Sequence, residues 1–128
     1  MSDYMTSERR RYITVRTQFE GFHHYPGAGT IDERIKFLEH RHRHMFHVEV
    51  TISVTHADRD IEFFLAKWAL NDYLKENDMD YKSCEMIAED VIDQHLIPTY
   101  GIDRFYAVIV SEDGESDGIV EHIPTISN

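Results

Sequence analysis

The sequence predicts an α+β domain, a four-stranded antiparallel sheet with two helices on one face, in the order β-β-α-α-β-β. Three observations carry this prediction. Apolar and polar residues alternate over 11–21 and again over 44–55, the period of a half-buried strand. Two later segments carry apolar residues at helical spacing. An apolar, β-rich run at 105–111 is followed by a turn and a short closing strand.

In the first strand Ile13, Val15, Thr17 and Phe19 share one parity, and His23 would follow them if the strand ran that far. Tyr25-Pro-Gly-Ala-Gly-Thr30 is a loop by its Pro and Gly content. Residues 32–39 fit either a helical turn or an irregular stretch. Val48, Val50, Ile52 and Val54 then alternate with Glu49, Thr51, Ser53 and Thr55, in β-branched residues suited to a pleated surface. A turn at 56–60 leads to Ile61, Phe64, Leu65 and Trp68, spaced i, i+3, i+4 and i+7, so a helix with that face in the core is expected over 61–75. Trp68 and the phenylalanines read as core residues. Ser83 is a natural N-cap for a second helix whose stripe is Cys84, Ile87, Ala88, Val91, Ile92 and His95, ended by Pro98 and Gly101. The strand at 105–111, a hairpin turn at 113–118 and a strand at 119–122 complete the order. Sheet edges left open in so small a domain are an aggregation hazard, so an oligomer that pairs them is expected.

Length and charge bound the function. The 128 residues make one domain, 1–128, with 1–10 polar and expected to be flexible. Lys and Arg total 13 against 24 Asp and Glu, a net charge of -11, which argues against nucleic acid or an anionic membrane as partner. No apolar run approaches the roughly 20 residues of a spanning helix. A single cysteine and the lack of an apolar stretch at the N-terminus predict a cytoplasmic protein.

Histidine is the outlier: four of the nine lie within 40–47. His40, His42 and His44 are spaced by two. On a strand they project from one face, roughly 7 Å apart per step, and neighbours at i and i+2 can bend onto one metal ion. Neutral imidazole is the commonest ligand for zinc, and a catalytic zinc takes three protein ligands and keeps one position open. The pair His23-His24 closes the preceding strand, its hairpin partner. The plainer reading is a solvated strand edge beside Arg41 and Arg43.

The order of elements and these motifs together resemble the 6-pyruvoyltetrahydropterin synthase and 6-carboxytetrahydropterin synthase family over residues 12–122. Phe19-Glu-Gly-Phe-His23 stands where that family has Phe-x-Ala-Ala-His. His42-Arg-His44-Met-Phe46-His-Val48-Glu-Val50 matches its His-Gly-His strand. Glu62-Phe63, with Lys67, matches the start of its first helix, and Lys82-Ser-Cys-Glu85-Met-Ile-Ala88 that of its second. Glu112 closes the penultimate strand, where the family has a glutamate that holds the pterin ring.

The resemblance implies the tunnelling fold, in which such sheets join into an oligomeric barrel, here a hexamer built as a dimer of trimers. It implies Zn2+ on His23, His42 and His44. It implies a pterin- or purine-like ligand, with Glu112 on the ring and Glu85 beside it. A triphosphate would need cations, and Arg43, Arg41, His24 and Lys67 stand nearest. The reaction would be a carbon–oxygen lyase step on a dihydroneopterin-triphosphate-like substrate, in folate, biopterin or queuosine precursor synthesis. Zinc would polarise the oxygens of the substrate side chain.

Departures from the family pattern put the catalytic groups in question. Its usual cysteine falls on Leu38, which cannot act as a base; Glu39 is one residue off. Its Asp-His pair falls in a shortened loop that offers Asp80-Tyr81 and no histidine. The glycine between the metal histidines is Arg43, expected to crowd or recharge the site. Glu39, His40, Asp80 and Cys84 are the available proton-transfer groups. His40 reads as a fourth ligand, a base or a surface residue, and Cys84 as a core thiol or a nucleophile. Two further readings stand beside the lyase: a non-catalytic pterin, purine or nucleotide-binding module, and a metal enzyme of other chemistry using Glu39 or His40.

Overall fold

Among the described residues four strands form one antiparallel sheet in chain order: β1 Arg11–His23, β2 His42–Val54, β3 Tyr106–Glu112 and β4 Ser116–His122. The computed structural model describes residues 4–125; of the segment expected to be flexible, 4–10 are exposed and carry no helix or strand, and 1–3 lie outside the described residues. A one-turn helix, α1 (Ala28–Ile31), and a 3₁₀ segment, Glu33–Glu39, join β1 to β2. Between β2 and β3 run α2 (Phe63–Glu76), α3 (Cys84–Asp90), a π-helical segment Val91–Leu96 and α4 (Ile97–Tyr100). The β-β-α-α-β-β order therefore stands, with the second helical region divided into three segments, α, π and α. No helix among the described residues is long and apolar enough to cross a membrane.

The period-two pattern decides which face of the sheet is core. Phe46, Val48, Val50 and Ile52 of β2 and Tyr106, Val108 and Val110 of β3 are all buried against the helices. Full burial of such a side chain contributes about 1.5–3 kcal/mol each. The opposite face carries paired polar groups: Arg16 with Glu49 at 2.6 Å, Thr14 with Thr51 at 2.9 Å, and Arg43 with Glu20 at 3.0 Å.

Ser83 caps α3 as its position predicts, accepting from the Met86 N–H at 3.1 Å, and Cys84, Ile87, Ala88, Val91, Ile92 and His95 are all buried. Pro98 does not stop this helix. It sits in the first turn of α4, just after the wider π segment, and the chain leaves at Gly101, whose φ of 109° favours glycine.

Helix α2 corrects the expected core. Its buried residues are Ala66, Leu70 and Leu74, at i, i+4 and i+8, whereas Trp68 is 58% and Phe64 66% exposed. Two apolar stripes compete on this helix, and the one with the small Ala66 lies against the sheet. A hydrogen bond from Thr17 on β1 to Asn71 at 2.6 Å fixes that orientation. Phe63 and Leu65 are exposed as well, so the phenylalanines of α2 are not core residues, while Phe46 is fully buried.

Candidate metal centre

His23, His42 and His44 meet because strand register and strand parity agree. His23 ends β1 directly opposite His42, which begins β2 two residues earlier than the alternation alone predicts. His42, His44 and Phe46 share the helix-facing side of β2, and Glu112 lies opposite Phe46 at the end of β3. One ligand atom from each of His23, His42 and His44 lies within 4.8 Å of the others, close enough to hold a metal ion. The three rings pack edge to face, with centroids 4.6–5.0 Å apart.

Each Nδ1 is already committed. That of His23 meets the Lys82 carbonyl at 2.9 Å, that of His42 the His40 carbonyl at 2.8 Å, and that of His44 the Asp113 carboxylate at 2.7 Å. A carbonyl oxygen only accepts, so Nδ1 carries the proton and a neutral ring is left with a lone pair on Nε2. Burial pushes the His23 pKa down, which favours that neutral ring. Asp113 is held below the ordinary carboxyl range by His44 and by the Met45 N–H, so it too is an acceptor.

Two of the free nitrogens face another acceptor. Glu112 Oε1 lies 3.2 Å from His23 Nε2, and Oε2 lies 3.6 Å from His44 Nε2. His44 Nε2 is buried and has no hydrogen-bond partner among the described residues. Lone pairs converging on a carboxylate cost free energy unless a proton or a cation sits among them. The donor set therefore fits a cation.

Beside the histidines opens a cavity of about 670 Å³, lined among others by His23, His42, Leu38, Cys84, Glu85 and Glu112. Its far wall depends on Gly118. A Cβ there would meet the Glu85 backbone nitrogen at 2.7 Å and Cys84 Cβ at 2.9 Å, so glycine lets the start of α3 lie against β4. Burial, then the carboxylates of Glu112 and Glu85, pushes the Cys84 thiol up to about 12, which makes it a core thiol rather than a nucleophile. Leu38 contributes an apolar surface and no titratable group.

A histidine and an aspartate far apart in sequence meet beside the cavity. His24 Nδ1 stands 3.2 Å from Asp80 Oδ1, and the His24 N–H donates to the Asp80 carbonyl at 2.6 Å. Burial alone would raise the Asp80 carboxyl, but His24 and Arg41 together hold it below its ordinary value. His24 also lines the cavity.

Other expected groups stand elsewhere. Arg43 does not crowd the metal histidines: the residue between i and i+2 on a strand faces the opposite side, and Arg43 pairs there with Glu20. It is thus outside the cavity where a substrate-binding role was expected. Glu39 Oε2 accepts from the Gly29 N–H at 2.8 Å, which ties it to α1. His40 is exposed and precedes β2; only its carbonyl takes part, through His42. Of the cations expected near a triphosphate, His24 lines the cavity, and Lys82 lines it unforeseen. Asp113, read from sequence as a turn residue only, meets His44 Nδ1.

No family model matches the chain, and no curated protein matches its sequence.

Proposed function

We propose that the protein is a zinc-dependent carbon–oxygen lyase resembling the 6-pyruvoyl- and 6-carboxytetrahydropterin synthases, acting on a dihydroneopterin-triphosphate-like substrate. One observation carries this reading: ring nitrogens of His23, His42 and His44 lie within 4.8 Å of one another, two of them face the Glu112 carboxylate, and they stand beside a cavity large enough for a bicyclic ring. Three clustered imidazoles, two of which line the cavity, would suit the ligand set and open position of a catalytic zinc. His23, His42 and His44 would hold the ion, and bound there it would supply Lewis acidity to the oxygens of the substrate side chain.

The remaining groups have roles that follow from their chemistry. Glu112 can accept two parallel N–H bonds from the amino-pyrimidinone edge of a pterin, charge-assisted bonds of roughly 1.5–3 kcal/mol. Glu85 lines the same cavity. Asp80 orients His24, which makes His24 the group at the cavity able to move a proton without a thiol at position 38. The open edges of β1 and β4 favour closure of the sheet into a barrel by oligomerisation, a hexamer of two trimers in the resembling family. The setting would be the cytoplasm and the pathway folate, biopterin or queuosine precursor synthesis.

Leu38 favours a second reading, a module that captures a pterin, purine or nucleotide and does not turn it over. Incubation of the zinc-loaded protein with dihydroneopterin triphosphate, followed by mass spectrometry, separates the two. Loss of the triphosphate group with formation of a new pterin supports the lyase. Tight binding with unchanged substrate supports the module, and neither binding nor turnover removes both.

A further inference from the structure

We infer that Asp113 is a positioning residue: it fixes the tautomer of His44 and thereby the metal affinity of the three-histidine centre. The inference deepens the metal reading above and rests on it only for affinity, not for the tautomer.

Asp113 is the first residue of the β3–β4 turn, with φ 55°. That left-handed conformation is costly for most side chains and tolerated by Asp and Asn. Its backbone N–H donates to the Met45 carbonyl at 2.7 Å. Its Oδ1 accepts from the Met45 N–H at 2.9 Å, and its Oδ2 accepts from His44 Nδ1 at 2.7 Å. The two bonds to Met45 hold the carboxylate in place, so the acceptor beside His44 is fixed rather than mobile.

A fixed acceptor at Nδ1 decides where the ring proton sits. Imidazole free in water favours the proton on Nε2; an acceptor at Nδ1 reverses that preference and leaves the Nε2 lone pair for a cation. The orphaned, buried Nε2 of His44 is the other half of the same arrangement. His23 and His42 take their Nδ1 acceptors from the backbone carbonyls of Lys82 and His40, which any residue would supply. Only His44, of the three, takes its acceptor from a side chain, and that side chain is anionic, which makes the ring a stronger donor to a metal.

Asp113→Asn keeps the shape and the left-handed preference and changes the proton logic. Its amide oxygen must face the Met45 N–H, because that group only donates. The NH2 then faces His44 Nδ1, a donor against a donor, so the ring proton moves to Nε2. An acid-to-amide exchange beside a histidine is known to act in this way.

Two measurements test the inference. Long-range ¹H–¹⁵N NMR of the metal-free protein reads the tautomer. His44 protonated on Nδ1 in the parent and on Nε2 in Asp113→Asn supports the proposal; Nε2–H in the parent, or the same tautomer in both, overturns it. Competition between the protein and a chelator for zinc reads the affinity. A loss of roughly 10- to 100-fold in Asp113→Asn is expected, together with an altered visible spectrum of the Co²⁺-substituted protein. Glu115→Gln removes the same charge from the same turn at an exposed position and should leave affinity and spectrum unchanged. An equal loss in both variants overturns the positioning role. A parent that binds no zinc defeats the metal reading and the affinity half with it, while the parent's own tautomer still decides whether Asp113 sets the ring.

Discussion

At the end of the sheet where β2 leaves and β3 enters, Arg104 donates to the carbonyls of Ser53 at 2.9 Å and Tyr100 at 3.1 Å and to Asp60 at 3.0 Å. Asp60 in turn accepts from the Thr55 N–H and hydroxyl. Every acceptor there meets a donor. At the opposite end, His23, His44 and Glu112 turn acceptors toward one another, and one of those atoms is buried with no partner among the described residues. Both clusters are polar and partly buried, and they stand at the two ends of β2. The closed one holds a loop against the sheet. The open one leaves acceptors without donors, an arrangement that would suit a cation and that costs stability without one.

The largest effect expected is at the open end. Elemental analysis of the parent should find about one zinc per chain, and His42→Ala or His44→Ala should remove it. Arg104→Met should leave zinc content as it is. Metal unchanged in both histidine variants would end the comparison, because the open cluster would then need no cation.

Stability should reverse the ranking. Arg104→Met leaves the carbonyls of Ser53 and Tyr100 without a donor, so denaturant unfolding should show a loss of roughly 2–3 kcal/mol. Glu112→Gln in the metal-free protein relieves a clash of acceptors, so its unfolding free energy should match or exceed the parent's. A clear loss in Glu112→Gln would mean that this carboxylate is structural after all.

These contrasts follow from how much of each cluster is encoded locally. The alternation of β2 and the stripe from Cys84 to His95 depend on neighbours along the chain, and both lie where the spacing puts them. His42 and His44, two apart on one strand, were legible for the same reason. The face of α2 was not, since Ile61, Phe64, Leu65 and Trp68 fit helical spacing as well as Ala66, Leu70 and Leu74 do. Close approach to β1, a tertiary matter, chose between them. The position of Arg43 follows from period two alone once β2 is known to begin at His42. The contacts of His24 with Asp80 and of His44 with Asp113 span 56 and 69 residues. No local pattern encodes such pairs; they appear only when the sheet register is known.

Ligand recognition should separate the site's own parts. Glu112→Gln is expected to weaken binding of a pterin by about 2 kcal/mol, because one ring N–H then faces an amide N–H. Isothermal titration with a dihydropterin measures this. Leu38→Cys returns a thiol to the cavity wall without touching Glu112, so affinity should hold while any turnover rises. Equal affinity of Glu112→Gln and parent for every pterin, purine and nucleotide tried would remove Glu112 as the ring anchor.

The smallest effect is a pH window belonging to the closed cluster. Hydrogen bonds from the Thr55 N–H and then from Arg104 lower the Asp60 carboxyl from 3.8 to about 2. Between those values the unfolded chain binds the proton and the folded protein does not, so folding stability rises with pH across the window. The contribution is complete above 3.8 and is lost as pH falls toward 2. Asp60→Asn cannot titrate. The difference in unfolding free energy between parent and Asp60→Asn should therefore be constant from neutral pH down to about 4 and then shrink as the acid limit is approached. Comparing the two proteins cancels the other carboxylates that titrate in the same range. A difference that stays flat to the lowest pH at which the parent folds would show that Asp60 holds the loop by geometry alone, and that its charge adds nothing to the closed end of the sheet.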